Sequence, residues 1–145
     1  MLTLRRATLI VDLDHIEGIS HRLGRDAGEE LAWFAAWRIA QTISTAGAVA
    51  PLGRGRFKIA LYKPLDEASV HRLSARLHRF LRAPFLVRGS EIFISASIGI
   101  ALGLSEHADA LERNASDAVR RVKANGGDAT FLIPAALHAV PVAAA

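Results

Sequence analysis

Asp12 and Asp14 close the β-branched apolar run Ala7-Thr8-Leu9-Ile10-Val11, the pattern of a fully buried strand that delivers acids at its C-terminal end. Carboxylates placed there are either hard oxygen ligands for a divalent cation or solvated acids that cap a turn. Farther along, Gly53-Arg54-Gly55-Arg56-Phe57 separates Ala48-Val49-Ala50-Pro51-Leu52 from Lys58-Ile59-Ala60-Leu61-Tyr62. Two short apolar runs around a glycine-containing turn predict a tight hairpin with φ > 0 at the glycines. Such a turn lets main-chain N–H groups face phosphate, and guanidinium groups pair with phosphate bidentately. A phosphate-handling turn of this shape is expected to carry acid, yet arginine stands at residues 54 and 56.

The elements that must hold these residues follow from hydrophobic spacing. Leu31, Phe34, Ala35, Ile39 and Ile43 recur every three or four residues, and Gly47 follows as a stop, which predicts a helix over 29–43. A second helix is predicted over 65–82, with Val70, Leu73, Leu77, Phe80 and Leu81 on one face and Arg72, Arg76 and Arg79 on another. Phe85-Leu86-Val87 and a long run over 92–101 read as strands on either side of a Gly89-Ser90 turn. A third helix over 109–123 uses Leu111, Ala115, Ala118, Val119 and Val122, and Asn125-Gly126-Gly127 ends it before a last strand, Thr130-Phe131-Leu132-Ile133. The order βαββαβ plus an additional helix and strand is that of an α+β, ferredoxin-like antiparallel sheet, expected to carry its helices on one face.

The 145 residues, about half of them apolar, suit one domain with a sizeable core. That domain is expected over 1–134, with the alanine-rich 135–145 as a tail or the start of a linker, the mark of a shortened piece. No apolar run approaches the ~18 residues of a membrane span, and the N-terminus lacks a signal-peptide core, which places the chain in the cytoplasm. The absence of cysteine removes disulfides, thiolate catalysis and Cys-based zinc sites. The six histidines are scattered without zinc-ligand spacing. The Arg72-Arg76-Arg79 stripe, with His71 and His78 beside it, reads as a solvated helix face rather than a nucleic-acid surface, having no interleaved aromatics. Trp33 and Trp37 are expected to fill core or an interface.

Four landmarks in order then resemble the GGDEF domains of diguanylate cyclases, whose palm-like fold condenses two GTP molecules into cyclic di-GMP. Residues 12–29 align without gaps to D-x-D-x-F-K-x-I-N-D-x-x-G-H-x-x-G-D, and the same spacing carries the GGDEF signature onto Gly53-Arg54-Gly55-Arg56-Phe57. Ser97-Ile98-Gly99-Ile100-Ala101 matches the S-I-G-I-A strand, and Val122-Lys123-Ala124-Asn125-Gly126 resembles the A-K-x-x-G segment. The likeness runs from Thr8 to Ile133. Before it, Leu2-Thr3-Leu4-Arg5-Arg6 is a faint trace of a D-x-L-T-G-L-x-N-R segment.

The resemblance implies that Asp12, the Leu13 carbonyl and residue 56 would hold the divalent ions of an active member, and that Ser20 and Glu29 stand where the family's asparagine and aspartate read guanine. Arg56 puts a permanent cation in a metal ligand's place, and Gly55 replaces the neighbouring acid. Glu17 replaces a phosphate-binding lysine, Gly127 replaces an arginine, and the product-inhibition motif R-x-x-D falls on Ser44 and Gly47. The metal positions are therefore expected to be vestigial and the domain catalytically inactive. It is expected to act as a degenerate GGDEF module that regulates or scaffolds cyclic di-GMP signalling in a multidomain bacterial protein. An EAL phosphodiesterase or sensor domain in the same chain and a homodimer are its expected partners, and no cofactor is required. Two alternatives stay open: a GTP-binding effector domain, with Ser20, Glu29, Gly53, Arg54 and Lys123 as nucleotide contacts and Mg2+ arriving only with GTP, or residual nucleotidyl cyclase activity.

Overall fold

The computed structural model describes residues 5–104 and 107–134. The alanine-rich segment over 135–145 and residues 1–4, including the Leu2-Thr3-Leu4 trace, lie outside the described residues. In chain order the elements are β1 (Arg5–Leu13), α1 (Ile16–Leu23), α2 (Arg25–Ile43), β2 (Gly47–Gly53), β3 (Arg56–Leu61), α3 (Glu67–Arg82), β4 (Phe85–Val87), β5 (Ser90–Ile92), β6 (Ala96–Leu104), α4 (Ala108–Ala124) and β7 (Thr130–Ile133). The five-stranded sheet runs β2-β3-β1-β6-β7, and β4 and β5 form a separate hairpin. β1 is antiparallel to both β3 and β6, while β7 joins β6 in parallel after the α4 crossover. This is the expected ferredoxin-like order with the additional helix and strand at one edge.

Helices cover both faces of the sheet, not one. Side chains alternate along a strand, so β1 sends Ala7, Leu9, Val11 and Leu13 into the large core shared with Leu31, Ala35 and Ile39 of α2 and Val70, Leu77 and Leu81 of α3. Ile10 points the other way and packs with Ala101 of β6 and with Leu111, Ala115 and Val119 of α4. Gly99 lets α4 settle onto that face, since a Cβ there would lie 2.1 Å from the Ala115 carbonyl oxygen and 2.8 Å from the Val119 nitrogen.

Further expectations are corrected. Residues 16–23 form a helix of their own, α1, which buries Ile16 and Ile19. The long strand expected over 92–101 is broken at residues 93–95, where the chain leaves the β4-β5 hairpin for the main sheet. Of the two places expected for Trp33 and Trp37, the core is excluded: they stay 65% and 57% exposed, because the inward stripe of α2 is already filled by Leu31, Ala35, Ile39 and Ile43. His78 leaves the solvated arginine face of α3: only 9% exposed, it bonds Thr130 Oγ1 through Nε2 at 2.8 Å. Arg72, Arg76 and Arg79 do face solvent. α3 starts at an Asp66 cap that accepts the Ser69 N–H at 2.7 Å. Its other end is held by Arg38 of α2, which donates to the Phe80 and Ala83 carbonyls at 3.0 and 2.6 Å and to Pro84.

Candidate functional site

The end of β1 and the β2-β3 turn meet because β1 and β3 are paired, with Asp12 opposite Arg56. Gly53, Arg54 and Gly55 have φ of 90°, 55° and 76°, so the turn is the tight left-handed one expected. The φ at Gly55 is one that side chains rarely adopt, and a Cβ there would press to 2.8 Å on Ile16 Cδ1 in α1. The Leu13 N–H donates to the Gly55 carbonyl at 2.9 Å and pins the turn beside the strand end.

Strand alternation sends Asp12, Arg56 and Lys58 to the α4 side of the sheet. Arg56 Nε stands 3.5 Å from Asp12 Oδ2, and the same guanidinium donates to Ser116 Oγ of α4 at 3.5 Å. One helical turn away on α4, Glu112 accepts from Lys58 at 2.8 Å. Lys123, near the C-terminal end of α4, approaches Asp12 Oδ1 at 3.3 Å, Asp14 Oδ1 at 2.7 Å and the Leu13 carbonyl at 3.3 Å. Of these, the contacts to Asp14 and the Leu13 carbonyl are hydrogen bonds and the one to Asp12 is an ion pair. Asp14, 3% exposed, also accepts from Ser95 Oγ at 2.6 Å, Ser97 Oγ at 2.7 Å and the Asp128 N–H at 3.0 Å.

The two acids therefore differ. Burial, the largest influence on Asp12, raises its pKa above the ordinary carboxylate value although Lys123 and Arg56 pull it down. Burial also pushes Asp14 up, but hydrogen bonds from Lys123, Ser95 and Ser97 and the charge of Lys123 together outweigh it and hold Asp14 below that value.

Two grooves open at this end of the sheet and share Ile16, Glu17 and Arg54. One, of ≈ 640 Å³, is lined by Ser20, Gly28, Glu29 and Gly55 among others. The other, of ≈ 500 Å³, is lined by Asp12, Leu13, Arg56 and Lys123 among others. The candidate residues are thus brought to one cleft, with two exceptions: Gly53 lines neither groove, and Phe57 points away into the core at 3% exposure. Among the described residues Arg54 has no ion-pair partner, and it sits where the grooves join. Sequence reading missed Ser95, Ser116 and the Asp128 N–H. Ser116 was detectable, because it flanks Ala115 and Val119 on the predicted inward stripe of α4.

The residues present do not fit a divalent ion. Both Asp12 oxygens and the Leu13 carbonyl already face Lys123 or Arg56. No helix among them is long and apolar enough to cross a membrane.

The family described as diguanylate cyclase, GGDEF domain, matches residues 3–129. Among curated proteins, the cyclic di-GMP phosphodiesterase NbdA of Pseudomonas aeruginosa is 30% identical over 122 residues, covering 83% of this chain and 16% of its own length. The crystal structure of the GGDEF domain of TpbB from the same organism superposes with a TM-score of 0.82 at 31% identity, covering 89% of this chain and 82% of that one. An EAL/GGDEF domain protein from M. capsulatus gives 0.79 at 28% identity, covering 89% and 84%. The chain spans only 16% and 24% of the curated relatives NbdA and TpbB. With the family match covering most of its length and the palm-like sheet in place, the chain belongs to the GGDEF domain family of diguanylate cyclases.

Proposed function

We propose that this chain is a catalytically silent GGDEF domain, one unit over residues 1–134 with 135–145 as a tail or the start of a linker, that regulates or scaffolds cyclic di-GMP signalling in the bacterial cytoplasm. The observation that carries this reading is the Arg56 guanidinium 3.5 Å from Asp12. Diguanylate cyclases work on GTP with divalent ions, and phosphoryl transfer depends on such ions for charge neutralisation and alignment. A divalent ion about 4 Å from a guanidinium would be opposed by roughly 8 kcal/mol even at an effective dielectric constant of 20. The family's second acid is absent as well, because residue 55 is glycine. The names of NbdA and of the EAL/GGDEF protein support a phosphodiesterase in the same polypeptide as partner, with a sensor domain and homodimer contacts as further partners and no cofactor required. Incubation of purified protein with GTP and Mg2+ or Mn2+ is expected to yield no cyclic di-GMP. Product that disappears in Asp12→Ala would refute the reading and establish residual cyclase activity instead.

A second reading, a GTP-binding effector domain, is favoured by the joined grooves. Ser20 and Glu29 line one, Lys123 lines the other, and Arg54 at their junction faces both. Calorimetric titration with GTP, with and without Mg2+, is expected to show saturable heat that weakens at least tenfold in Arg54→Ala. Flat heats at millimolar GTP would leave scaffolding alone.

A further inference from the structure

We propose that Arg56 is a resident counter-cation that takes over the structural place of a divalent ion, so that the carboxylates at this end of the sheet face fixed cations permanently and independently of metal. The inference deepens the reading of a silent cyclase and rests on the same cleft, but it concerns what holds the site together rather than what the site fails to catalyse. Around Asp12 and Asp14 stand two fixed cations, Arg56 and Lys123, and every oxygen that a metal would need at Asp12 and Leu13 is turned toward one of them. Strand register sets the position of Arg56, because Asp12 and Arg56 are opposed across β1 and β3 on the face that α4 covers. The guanidinium then reaches past Asp12 to Ser116 and so links β1, β3 and α4. A metal ion bridging a carboxylate and a carbonyl makes the same kind of connection, but only while it is bound. An arginine does so in every state of the protein, since it keeps its charge at all accessible pH.

Neighbouring residues agree with this assignment. Lys58 pairs with Glu112 one rung along β3, which gives the β3–α4 seam a second cation-to-acceptor link of the same kind. Arg56 is half-buried, its side chain 35% exposed, so the ion pair is partly shielded from solvent screening. Removing the charge alone would leave half-buried Asp12 with one cation in place of two. Reversing it would recreate, with the Asp12 carboxylate and the Leu13 carbonyl, three oxygen donors from three chain positions.

The experiment uses MnCl2 as probe on the whole chain, with thermal unfolding and calorimetry as readouts. The wild type is expected to unfold at the same temperature in EDTA and in millimolar Mn2+ and to give no saturable heat. Arg56→Glu is expected to unfold earlier in EDTA and to recover with Mn2+, its folding equilibrium rising about 100-fold when Mn2+ reaches 100 times Kd. Arg56→Gln removes the charge without supplying a carboxylate, and is expected to fold, to unfold earlier than wild type and to ignore Mn2+. Saturable Mn2+ binding by the wild type that is lost in Asp12→Asn would overturn the proposal, and that result does not depend on how well the Glu variant folds. A folded Arg56→Glu that ignores Mn2+ would overturn it too, while leaving the absence of turnover untouched. Cyclic di-GMP production by the wild type would instead overturn the functional reading itself.

Discussion

Asp14→Ala is expected to lower folding stability by about 3–5 kcal/mol at neutral pH, the range for removing one partner of a buried, hydrogen-bonded charge pair. The loss is large because the carboxylate is a hub. It receives Lys123 from α4, Ser95 from the segment between β5 and β6, Ser97 from β6, and the Asp128 N–H from the α4–β7 connection. Alanine leaves all four donors without this acceptor, and for Ser97, which is fully buried, the stranded hydroxyl carries its own desolvation cost. Against a typical total of about 5–15 kcal/mol this is a substantial fraction. Urea denaturation at pH 7 measures it, with the slope unchanged if the variant remains two-state. A loss below about 1 kcal/mol would show that the donors reach solvent and that the hub is incidental.

The pH dependence carries opposite signs at the two acids. Asp14 has a lowered pKa, so its stabilisation is present above the unfolded value of 3.8 and is lost as pH falls through the lower folded value. Asp12 has a raised pKa, so its ionised form is penalised at neutral pH, and the folded state gains from it as pH falls through the raised value toward 3.8. In Asp14→Ala the acid loss below 3.8 should shrink while the Asp12 gain above it persists. An acid limb unchanged from wild type would contradict the assignment.

Gly99→Val is expected to destabilise by about 3 kcal/mol or more, the upper range for overpacking a filled core. The first atom of any side chain at residue 99 would lie 2.1 Å from the Ala115 carbonyl oxygen, 2.8 Å from the Val119 nitrogen and 2.9 Å from Ala118 Cβ. Two of these are helix backbone atoms that cannot swing aside, so α4 must lift from the sheet. Because α4 carries Ser116 and Lys123, the lift also pulls both away from Arg56 and Asp12. Gly18→Ala is the matched control: residue 18 lies within α1, and an alanine methyl there would meet nothing within 4 Å. At that position alanine should add about 0.5–1 kcal/mol through helix propensity. Equal effects at the two glycines would contradict the packing account.

Much of this architecture was legible because the hydrophobic spacing is regular. The inward stripes of α2, α3 and α4 are the residues that period 3.6 selects, and β7 occupies the four residues expected. Helix α1 escaped because Gly18 and Gly24 interrupt its pattern, although Ile16 and Ile19 keep helical spacing. The break between β5 and β6 escaped for a different reason. Phe93 and Ile94 are apolar enough to continue a strand, and only the tertiary bond from the Asp14 N–H to the Ser95 carbonyl at 2.9 Å shows where the chain turns away. Hydrophobicity alone could not choose between core and interface for the tryptophans; residues 33 and 37 fall beside the filled stripe of α2 rather than on it. At the site, the resemblance to GGDEF domains was enough to place Arg56 with Asp12. It could not show that Lys123 is spent on Asp12, Asp14 and Leu13, because those contacts are set by how α4 crosses the sheet. Nor could it show a helix on each face, a matter of crossover geometry rather than of local pattern.

Chromatographic quantification of cyclic di-GMP after prolonged incubation of the purified domain with GTP and Mn2+ tests the central claim most directly, with Asp12→Ala run in parallel. The account predicts no product above the level of the Asp12→Ala control, because Arg56 holds the place where a divalent ion would have to sit. Product formed by the wild type and abolished by that substitution would contradict it.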